Sequence, residues 1–367
     1  MFSNAGVPSN PNSVRRAAAA IDPHKCETDR WLAAWDADDE VIAAAIRNID
    51  SSIGGALEAF NYRTQSPLDM QSWLAAPEVM TGLREVALYA ARAIPEWDGS
   101  VPPARPIILT EVSNGYEAVL ENWLNWLDAC GVDLTRVLVV TKGNSAAAVK
   151  AIVDGLGPVV YEMPALETPP IQIMNKNDDP ALNTLWVERM RMLYEIVGAG
   201  VPVVMSDLDA IWFRDALADI EAKAAAQPGG FDMGLSQGMW PPETYRLFKT
   251  SGCLGLAFFN ATAGSRAVLR HMLHHAQRNM HVMFDDQQAL NHQLVMANLA
   301  INSTNPAPSG LQDEIVVGSQ ITTAPDPLRV VFLPHVQYQR FCDDATLTSA
   351  VVGHCRIRDV QNFKTHR

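Results

Sequence analysis

The chain has 367 residues, of which 48% are hydrophobic, so it is long enough for one large or two ordinary globular domains with a packed core. Its formal net charge is -13 and its pI is about 5.1. This acidic balance argues against a broad electrostatic surface for nucleic acid or for an anionic membrane. A protein of this charge that binds an anionic nucleotide needs a local device, such as a metal ion or a helix N-terminus.

The N-terminal 20 residues contain Arg15 and Arg16 followed by four alanines, a pattern that fits neither a signal sequence nor a membrane span. We therefore expect a chain without a membrane anchor, cytoplasmic as written. The five cysteines are scattered and form no CxxC pair, so they do not predict a zinc site. Whether Cys342 and Cys355 pair in a disulfide is left open by the sequence.

Residues 1–104 are rich in alanine and carry apolar residues at helical spacing through Val41–Phe60 and Met80–Ile94. This pattern predicts a helical N-terminal extension. The segment Asp98–Pro106 holds three prolines and a glycine, which is typical of a boundary between domains. We therefore expect a second domain over residues 105–367.

Strands and helices alternate after this boundary. The predicted elements are strand Ile107–Thr110, helix Glu117–Ala129, strand Val137–Val140, helix Ala146–Leu156, strand Val159–Glu162, helix Leu182–Val197 and strand Val201–Met205. Short apolar strands between amphipathic helices indicate βαβ units, so the predicted fold class is α/β with a mainly parallel central sheet flanked by helices. Residues 206–209 follow the last of these strands, at the edge where open α/β sheets bind ligands.

Two carboxylates, Asp207 and Asp209, occupy this edge at positions i and i+2. Residues two apart in extended backbone point the same way, so both carboxylates are able to bind one cation. Three interpretations stay open on the residues alone. The pair caps the next helix or pairs with Arg214, or it belongs to a haloacid dehalogenase type phosphatase, although the later GDxxxD element is missing. In the third interpretation it is the DxD motif of a nucleotide-sugar transferase.

The segment SDLDAIWFRD closely resembles the signature of the nucleotide-diphospho-sugar transferase family that includes plant cell-wall arabinosyl- and xylosyltransferases. Four more segments resemble the same family in the same order: ILTEVSNGYEAVLENWL, KTSGCLGLAFFNAT, FDDQQALNHQL and VVGHCRIRDVQNFKTHR. The resemblance spans about residues 105–367 and implies the GT-A fold. It also implies a retaining glycosyltransferase that moves a hexose or pentose from a UDP-sugar to a hydroxyl group of a glycan, a glycoprotein or another acceptor.

The resemblance further implies roles for individual residues. Asp207, Asp209 and His354 would bind the metal, and one imidazole among oxygen ligands favours Mn²⁺, with Mg²⁺ as the alternative. The implied catalytic residues are Asp209, Asp286 and Gln287, with the Gln287 side-chain oxygen beneath the anomeric carbon. The implied donor-binding residues are Thr110, Val112, Asn114, Tyr116, Arg191, Asp207, Asn291 and Lys364, the last of these on the diphosphate.

Some of these residues also have a purely structural interpretation. Asp286 suits the first turn of a helix, where a carboxylate is favoured by the helix dipole. Trp212 is predicted to pack beneath the acidic pair rather than to stack on a sugar. The alternative function is a non-catalytic sugar- or nucleotide-binding module on the same fold. Because members of the family are usually anchored in the Golgi, the resemblance implies the Golgi lumen if the N-terminus is truncated.

Overall fold

The computed structural model describes residues 85–94, 105–113, 115–163, 180–227, 229–238, 240–241, 244–245, 248, 250–279, 286–297, 299–301, 315–319, 328–339 and 349–354. All of them belong to the compact unit Phe60–Arg367. The predicted helix Val41–Phe60, the predicted donor-binding residues Asn114 and Lys364, and both Cys342 and Cys355 lie outside the described residues.

The described part of the chain forms helices and strands that alternate, as the sequence predicts. The helices are α1 (Glu85–Arg92), α2 (Glu117–Ala129), α3 (Ala146–Val153), α4 (Pro180–Gly198), α5 (Ala216–Ala226), α6 (Ala263–Asn279) and α7 (Asp286–Met296). The strands are β1 (Ile107–Val112), β2 (Val137–Thr141), β3 (Val159–Glu162), β4 (Val203–Ser206), β5 (Ala210–Trp212), β6 (Met233–Gly238), β7 (Ser251–Phe259), β8 (Leu299–Ile301), β9 (Ile315–Ser319), β10 (Arg329–Leu333), β11 (Tyr338–Gln339) and β12 (Val352–His354).

Nine of these strands form one sheet in the order β3-β2-β1-β4-β7-β6-β10-β9-β8. The pairs β3-β2, β2-β1, β1-β4 and β6-β10 are parallel, whereas β7 and β9 run antiparallel to their neighbours. Seven strands therefore run in one direction and two in the other. The predicted α/β class with a mainly parallel central sheet flanked by helices is confirmed.

Alternation along the strands divides the core between the two faces of the sheet. On β1, Ile107 and Leu109 pack in one apolar cluster with α1, α4, α6 and α7, whereas Ile108 and Val112 pack in a second cluster with α2, α3 and α5. Both faces are covered by helices, which is why the central strands are apolar on both sides. The carboxyl ends of β1, β2 and β4 meet at one edge of the sheet.

A second, three-stranded sheet has the order β11-β12-β5 and lies next to that edge. Its strand β5 begins at Ala210, directly after the acidic pair, and β12 pairs with β5 antiparallel. This pairing brings the distant segment Val352–His354 to the carboxyl end of β4.

An irregularity in β7 also affects this region. In the pairing of β6 with β7, Leu235 lies opposite Ala257, but the next residue, Ser236, lies opposite Cys253. Residues 254–256 therefore form a bulge in the β6-β7 ladder. The Ser236 hydroxyl lies 3.3 Å from the Cys253 carbonyl oxygen and 2.9 Å from that of Leu256, on either side of the bulge. Bulges of this kind re-aim the backbone beside functional sites.

Candidate functional site

The acidic pair lies on a tight, well-supported turn. The backbone N–H of Asp207 donates to the Gly255 carbonyl at 2.8 Å, and the N–H of Ala210 donates to the Asp207 carbonyl at 3.0 Å. Trp212 is fully buried in the second apolar cluster, and its indole N–H donates to the Ser206 hydroxyl at 3.1 Å. Trp212 thus packs beneath the turn, as the sequence predicts, and both carboxylates start from fixed backbone.

His354 approaches the acidic pair through the β12-β5 pairing, in which His354 lies opposite Ala210. Its Nε2 atom is 3.0 Å from Oδ1 of Asp209 and 3.7 Å from Oδ2 of Asp207. The three side chains are only partly buried, with 10% of the His354 side chain, 27% of Asp207 and 24% of Asp209 exposed, so an ion is able to reach them from solvent.

The spacing of these ligand atoms fits one small divalent cation. One ligand atom from each of Asp207, Asp209 and His354 lies within 4.8 Å of the other two. Around an octahedral ion with bonds of about 2.1 Å, neighbouring ligands are about 3 Å apart and opposite ligands about 4 Å apart. Two carboxylate oxygens and one imidazole nitrogen are donors suited to Mn²⁺ or Mg²⁺. The three ligands that the sequence predicts therefore meet in a geometry that suits the predicted metal.

Gly255 makes room for the imidazole. A Cβ atom built on Gly255 would lie 2.0 Å from Cε1 of His354 and 2.4 Å from its Nδ1. No side chain larger than hydrogen fits at this position while the ring keeps its place. The bulge in β7 and the absence of a side chain at residue 255 together allow His354 to lie against the strand.

A buried arginine connects the acidic turn to the start of α7. Arg189 on α4 donates from Nη2 to Oδ1 of Asp207 at 3.0 Å and from Nη1 to Oδ2 of Asp286 at 3.2 Å. Burial acts to lower the pKa of Arg189, but the carboxylates of Asp207, Asp286 and Glu111 together raise it above the ordinary arginine value. The guanidinium therefore stays charged and holds two predicted site carboxylates at fixed separation.

Glu111 adds a second buried carboxyl group to this region. Both of its carboxylate oxygens are shielded from solvent and have no hydrogen-bond partner among the described residues. Burial raises the pKa of Glu111 to about 7; Arg189 and Lys142 act in the opposite direction, and Glu188 and Asp207 raise it further. Burial therefore favours the protonated form of this carboxyl group more strongly than in an ordinary glutamate.

The first turn of α7 presents the predicted pair Asp286 and Gln287. Oδ1 of Asp286 accepts a hydrogen bond from the Gln287 N–H at 2.8 Å, so this carboxylate also suits the helix terminus. The Gln287 Nε2 atom donates to the Trp240 carbonyl at 2.7 Å. A carbonyl only accepts, which fixes the amide with its Nε2 on Trp240 and leaves Oε1 as the atom available to a ligand.

Asn291 lies one helical turn further along α7 and is fully buried. Its Oδ1 accepts from the Gly252 N–H at 2.8 Å, and its Nδ2 lies 2.8 Å from the Gly252 carbonyl and 2.7 Å from that of Gln287. These contacts attach the first turns of α7 to β7. The structure thus gives Asn291 a structural role, while its implied contact with the donor stays a prediction.

Three of the predicted nucleotide-binding residues, Thr110, Val112 and Tyr116, lie at or just after the carboxyl end of β1. Thr110 and Val112 are buried, and the Thr110 hydroxyl has no hydrogen-bond partner among the described residues. The hydroxyl of Thr141, opposite Val112 on β2, is also buried and also has no hydrogen-bond partner among the described residues. Tyr116 is 39% exposed at the start of α2. This edge therefore offers buried polar groups and an exposed aromatic ring to a ligand.

A lysine and a glutamate meet beside this edge. Lys142 follows β2, and its Nζ atom is 2.5 Å from Oε2 of Glu188, whose side chain is 3% exposed. Glu188 precedes Arg189 on α4, so two neighbouring residues of opposite charge form separate ion pairs: Glu188 with Lys142 after β2, and Arg189 with Asp207 after β4. Neither member of this ion pair is among the site residues that the sequence predicts.

Sequence reasoning selected Arg191 on α4, whereas the arginine that contacts the acidic residues is Arg189. The two residues are two positions apart and so lie about 200° apart around the helix. Arg191 is half-buried, and burial lowers its pKa. A signal for Arg189 exists in the sequence, since it falls at helical spacing with the buried Leu193 and Ile196, and a buried arginine requires carboxylate partners.

A mainly parallel sheet with an Asp-Asp-His cluster at its carboxyl edge is typical of α/β proteins that bind ligands at strand ends. A sequence profile for nucleotide-diphospho-sugar transferases matches residues 148–360, more than half of the chain. The protein belongs to the nucleotide-diphospho-sugar transferase family, and the predicted GT-A fold is confirmed. Sugar transfer is therefore its class of reaction, and the phosphatase interpretation is excluded.

Solved structures of glycosyltransferases are similar to parts of the chain. The galactosyltransferase LgtC, in complex with donor and acceptor sugar analogues, is 15% identical, with 50% of this chain and 69% of that chain covered and a TM-score of 0.37. Mouse xyloside xylosyltransferase 1 is 13% identical, with coverage of 52% and 81% and a TM-score of 0.35. The WbbM bifunctional glycosyltransferase is 12% identical, with coverage of 71% and 46% and a TM-score of 0.39.

A search of curated protein sequences found no match to the chain. None of the helices in the described residues combines the length and the apolar character that crossing a membrane requires.

Proposed function

We propose that the protein is a metal-dependent, retaining glycosyltransferase that moves a hexose or pentose from a UDP-sugar to an acceptor hydroxyl. The observation that carries the proposal is the convergence of Asp207, Asp209 and His354, three residues from two distant segments, with the spacing that one divalent cation requires. Family membership supports sugar transfer, and the centre supplies the reason to expect a metal.

The proposed cofactor is Mn²⁺ or Mg²⁺, held by Asp207, Asp209 and His354; when bound, it would act as a Lewis acid that neutralises charge on the diphosphate leaving group. The protein's own contribution is to fix the positions of the ligand atoms. Hydrogen bonds from the Asp207 N–H to Gly255 and from Ala210 to the Asp207 carbonyl fix the turn before any ligand arrives. A preorganised site does not need to reorganise its dipoles during the reaction.

Arg189 is proposed to position the two acidic residues that flank the sugar. It neutralises charge on Asp207 and Asp286 from below, and its own side chain is only 10% exposed. The bridging guanidinium donates a charge-assisted hydrogen bond to each carboxylate and so fixes both side chains. Asp286 then offers its carboxylate oxygens as hydrogen-bond acceptors to hydroxyl groups of the donor or of the acceptor.

Gln287 is proposed to present its side-chain oxygen to the anomeric carbon. The contact from its Nε2 to the Trp240 carbonyl supports this orientation, because Oε1 is left for the substrate. An amide oxygen is a weak nucleophile, so we propose attack on the same face as the leaving group. The bond from the anomeric carbon to the phosphate oxygen breaks, the bond to the acceptor oxygen forms, and the acceptor proton passes to the phosphate oxygen.

The nucleotide is proposed to bind at the carboxyl end of β1, with Thr110, Val112, Asn114 and Tyr116. The buried hydroxyl of Thr110 supports this, since a buried polar group without a protein partner costs free energy that a ligand is able to recover. Lys364 is proposed for the diphosphate on the resemblance alone. Residues 105–367 are proposed as the catalytic domain, on which the α1 part of the extension packs through Val86 and Ala90.

Donor hydrolysis tests this proposal. A panel of UDP-sugars is incubated with the protein and Mn²⁺, and released UDP is measured beside Asp209→Ala and a chelator control. We expect release from one donor, lost in both controls, which names the sugar. Hydrolysis that survives both controls would contradict the metal requirement. If no donor releases UDP and the protein does not bind UDP, the result would favour a non-catalytic binding module instead.

A further inference from the structure

The second ring nitrogen of His354 lies near a cysteine that the proposed mechanism does not use. Nε2 faces Asp207 and Asp209, whereas Nδ1 is 3.8 Å from the Sγ atom of Cys253 on β7. Cys253 is 1% exposed, so the thiol is shielded from solvent. The two nitrogens of one imidazole therefore face two different chemical environments.

The backbone around Cys253 is held by the bulge of β7. Cys253 is the last residue in register before the bulge, and Ser236 contacts the carbonyls of Cys253 and Leu256 on both sides of it. Gly255, within the bulge, leaves the space that the His354 ring occupies. This arrangement places the sulfur and the ring side by side against one strand.

A neutral imidazole has one N–H donor and one unprotonated acceptor nitrogen. To bind a cation through Nε2, His354 has to carry its proton on Nδ1, and this N–H then requires an acceptor. Histidines that bind metals almost always donate their other N–H to a neighbouring group, which fixes the tautomer and the ring orientation. A sulfur within 4.0 Å serves as such an acceptor, though a weak one.

We propose that Cys253 is a positioning residue for His354: when Nε2 binds the cation, the Cys253 sulfur accepts a hydrogen bond from Nδ1–H and keeps the ring directed at the metal. The inference rests on the proposed function, because it requires that Asp207, Asp209 and His354 bind a metal. It adds a specific outer residue to that centre and assigns the tautomer of His354.

The test is Mn²⁺ affinity, measured by electron paramagnetic resonance of free Mn²⁺ during titration of the wild-type protein, Cys253→Ala, Cys253→Ser and Asp209→Ala. Cys130→Ala is the control, since the Cys130 thiol is half-buried and donates to the Trp212 carbonyl at 3.1 Å. We expect about tenfold weaker binding in Cys253→Ala, the range typical of lost outer-shell contacts. Cys253→Ser should recover part of the affinity and Cys130→Ala should match the wild type.

A second measurement observes the His354 ring directly. Nitrogen-15 spectra of the histidine-labelled, Mg²⁺-loaded protein detect the Nδ1–H of His354, and we expect it to exchange slowly with water in the wild type and faster in Cys253→Ala. Wild-type affinity in Cys253→Ala, with binding abolished in Asp209→Ala, would overturn the positioning role and leave the proposed metal centre standing. A wild-type protein that binds no Mn²⁺ would overturn both. An Nδ1–H that exchanges equally fast in the wild type and in Cys253→Ala would also overturn the positioning role.

Discussion

Arg189 donates a hydrogen bond from its Nη2 atom to Oδ1 of Asp207 at 3.0 Å, deep beneath the candidate metal centre. The same guanidinium also donates to Asp286, which begins α7. The acidic turn after β4 and the start of α7 are thereby joined by one buried cation. The first prediction concerns what happens when this cation is removed.

Arg189→Met should lower the free energy of unfolding by about 3 kcal/mol, because it leaves the carboxylates of Asp207 and Asp286 without their buried counter-charge. Urea denaturation followed by circular dichroism measures the change. Arg105→Met is the matched control, since Arg105 forms a surface ion pair with Glu221 and its side chain is 62% exposed. Its effect should stay within about 0.5 kcal/mol. Equal, small effects for both variants would mean that the Arg189 bridge is not a stabilising feature.

The raised pKa of Glu111 leads us to expect that the free energy of unfolding depends on pH. Burial raises its pKa from 4.5 to about 7, so the folded protein binds a proton at Glu111 that the unfolded chain releases above pH 4.5. The free energy of unfolding should therefore fall as the pH rises from 4.5 through 7. The full shift corresponds to about 3 kcal/mol, at about 1.4 kcal/mol per pKa unit.

Glu111→Gln tests this prediction, because glutamine imitates the protonated carboxyl group. The variant and the wild type should have similar stability at pH 5, whereas the variant should be the more stable protein at pH 8. Glu121→Gln on the exposed side of α2 serves as the control and should follow the wild-type pH profile. A Glu111→Gln profile parallel to that of the wild type would show that Glu111 is ionised in the folded protein over this range.

Gly255→Ala should weaken Mn²⁺ binding more than tenfold, because the added methyl group would lie 2.0 Å from Cε1 of His354 and the ring has to move. Gly198→Ala is a suitable comparison. There the added methyl group meets only the flexible side chain of Arg266, at 3.1 Å. Calorimetric titration with Mn²⁺ measures both variants. Wild-type affinity in Gly255→Ala would remove His354 from the proposed ligand set.

Asn291→Ala should destabilise the protein by about 2 kcal/mol, because the N–H and C=O of Gly252 lose their partner inside the core. If Asn291 acts only through these contacts, the folded variant should bind UDP as the wild type does. Thermal unfolding measures the first effect and calorimetry at low temperature the second. A loss of UDP affinity without a loss of stability would instead support the donor-binding role that the resemblance implies.

Much of the fold follows from local sequence signals. Ile107–Val112 and Val137–Thr141 are short apolar runs with turn residues around them, and the intervening helix Glu117–Ala129 has the bounds that its apolar spacing predicts. The strand before the acidic pair is displaced by two residues at its start, to Val203–Ser206. The N–H of Ile107 donates to the Pro202 carbonyl at that point, and a proline cannot itself donate to the ladder.

Site residues that are close together in sequence were predictable from their spacing. Site residues that meet only through tertiary contacts were harder to predict. Asp207 and Asp209 follow from their spacing after a strand, whereas His354 was selected through the family resemblance alone. Arg189 was missed because its partners lie on other elements. The space at Gly255 depends on a bulge, whose register no local pattern specifies.

The most direct test of the account is calorimetric binding of UDP with and without Mn²⁺, for the wild-type protein and for Asp209→Asn, which removes a charge with little change in shape. The account predicts that the wild type binds UDP tightly only when Mn²⁺ is present and that Asp209→Asn loses this dependence together with the affinity. UDP affinity that is the same with and without Mn²⁺, and the same in Asp209→Asn, would contradict a metal-dependent transferase centred on Asp207, Asp209 and His354.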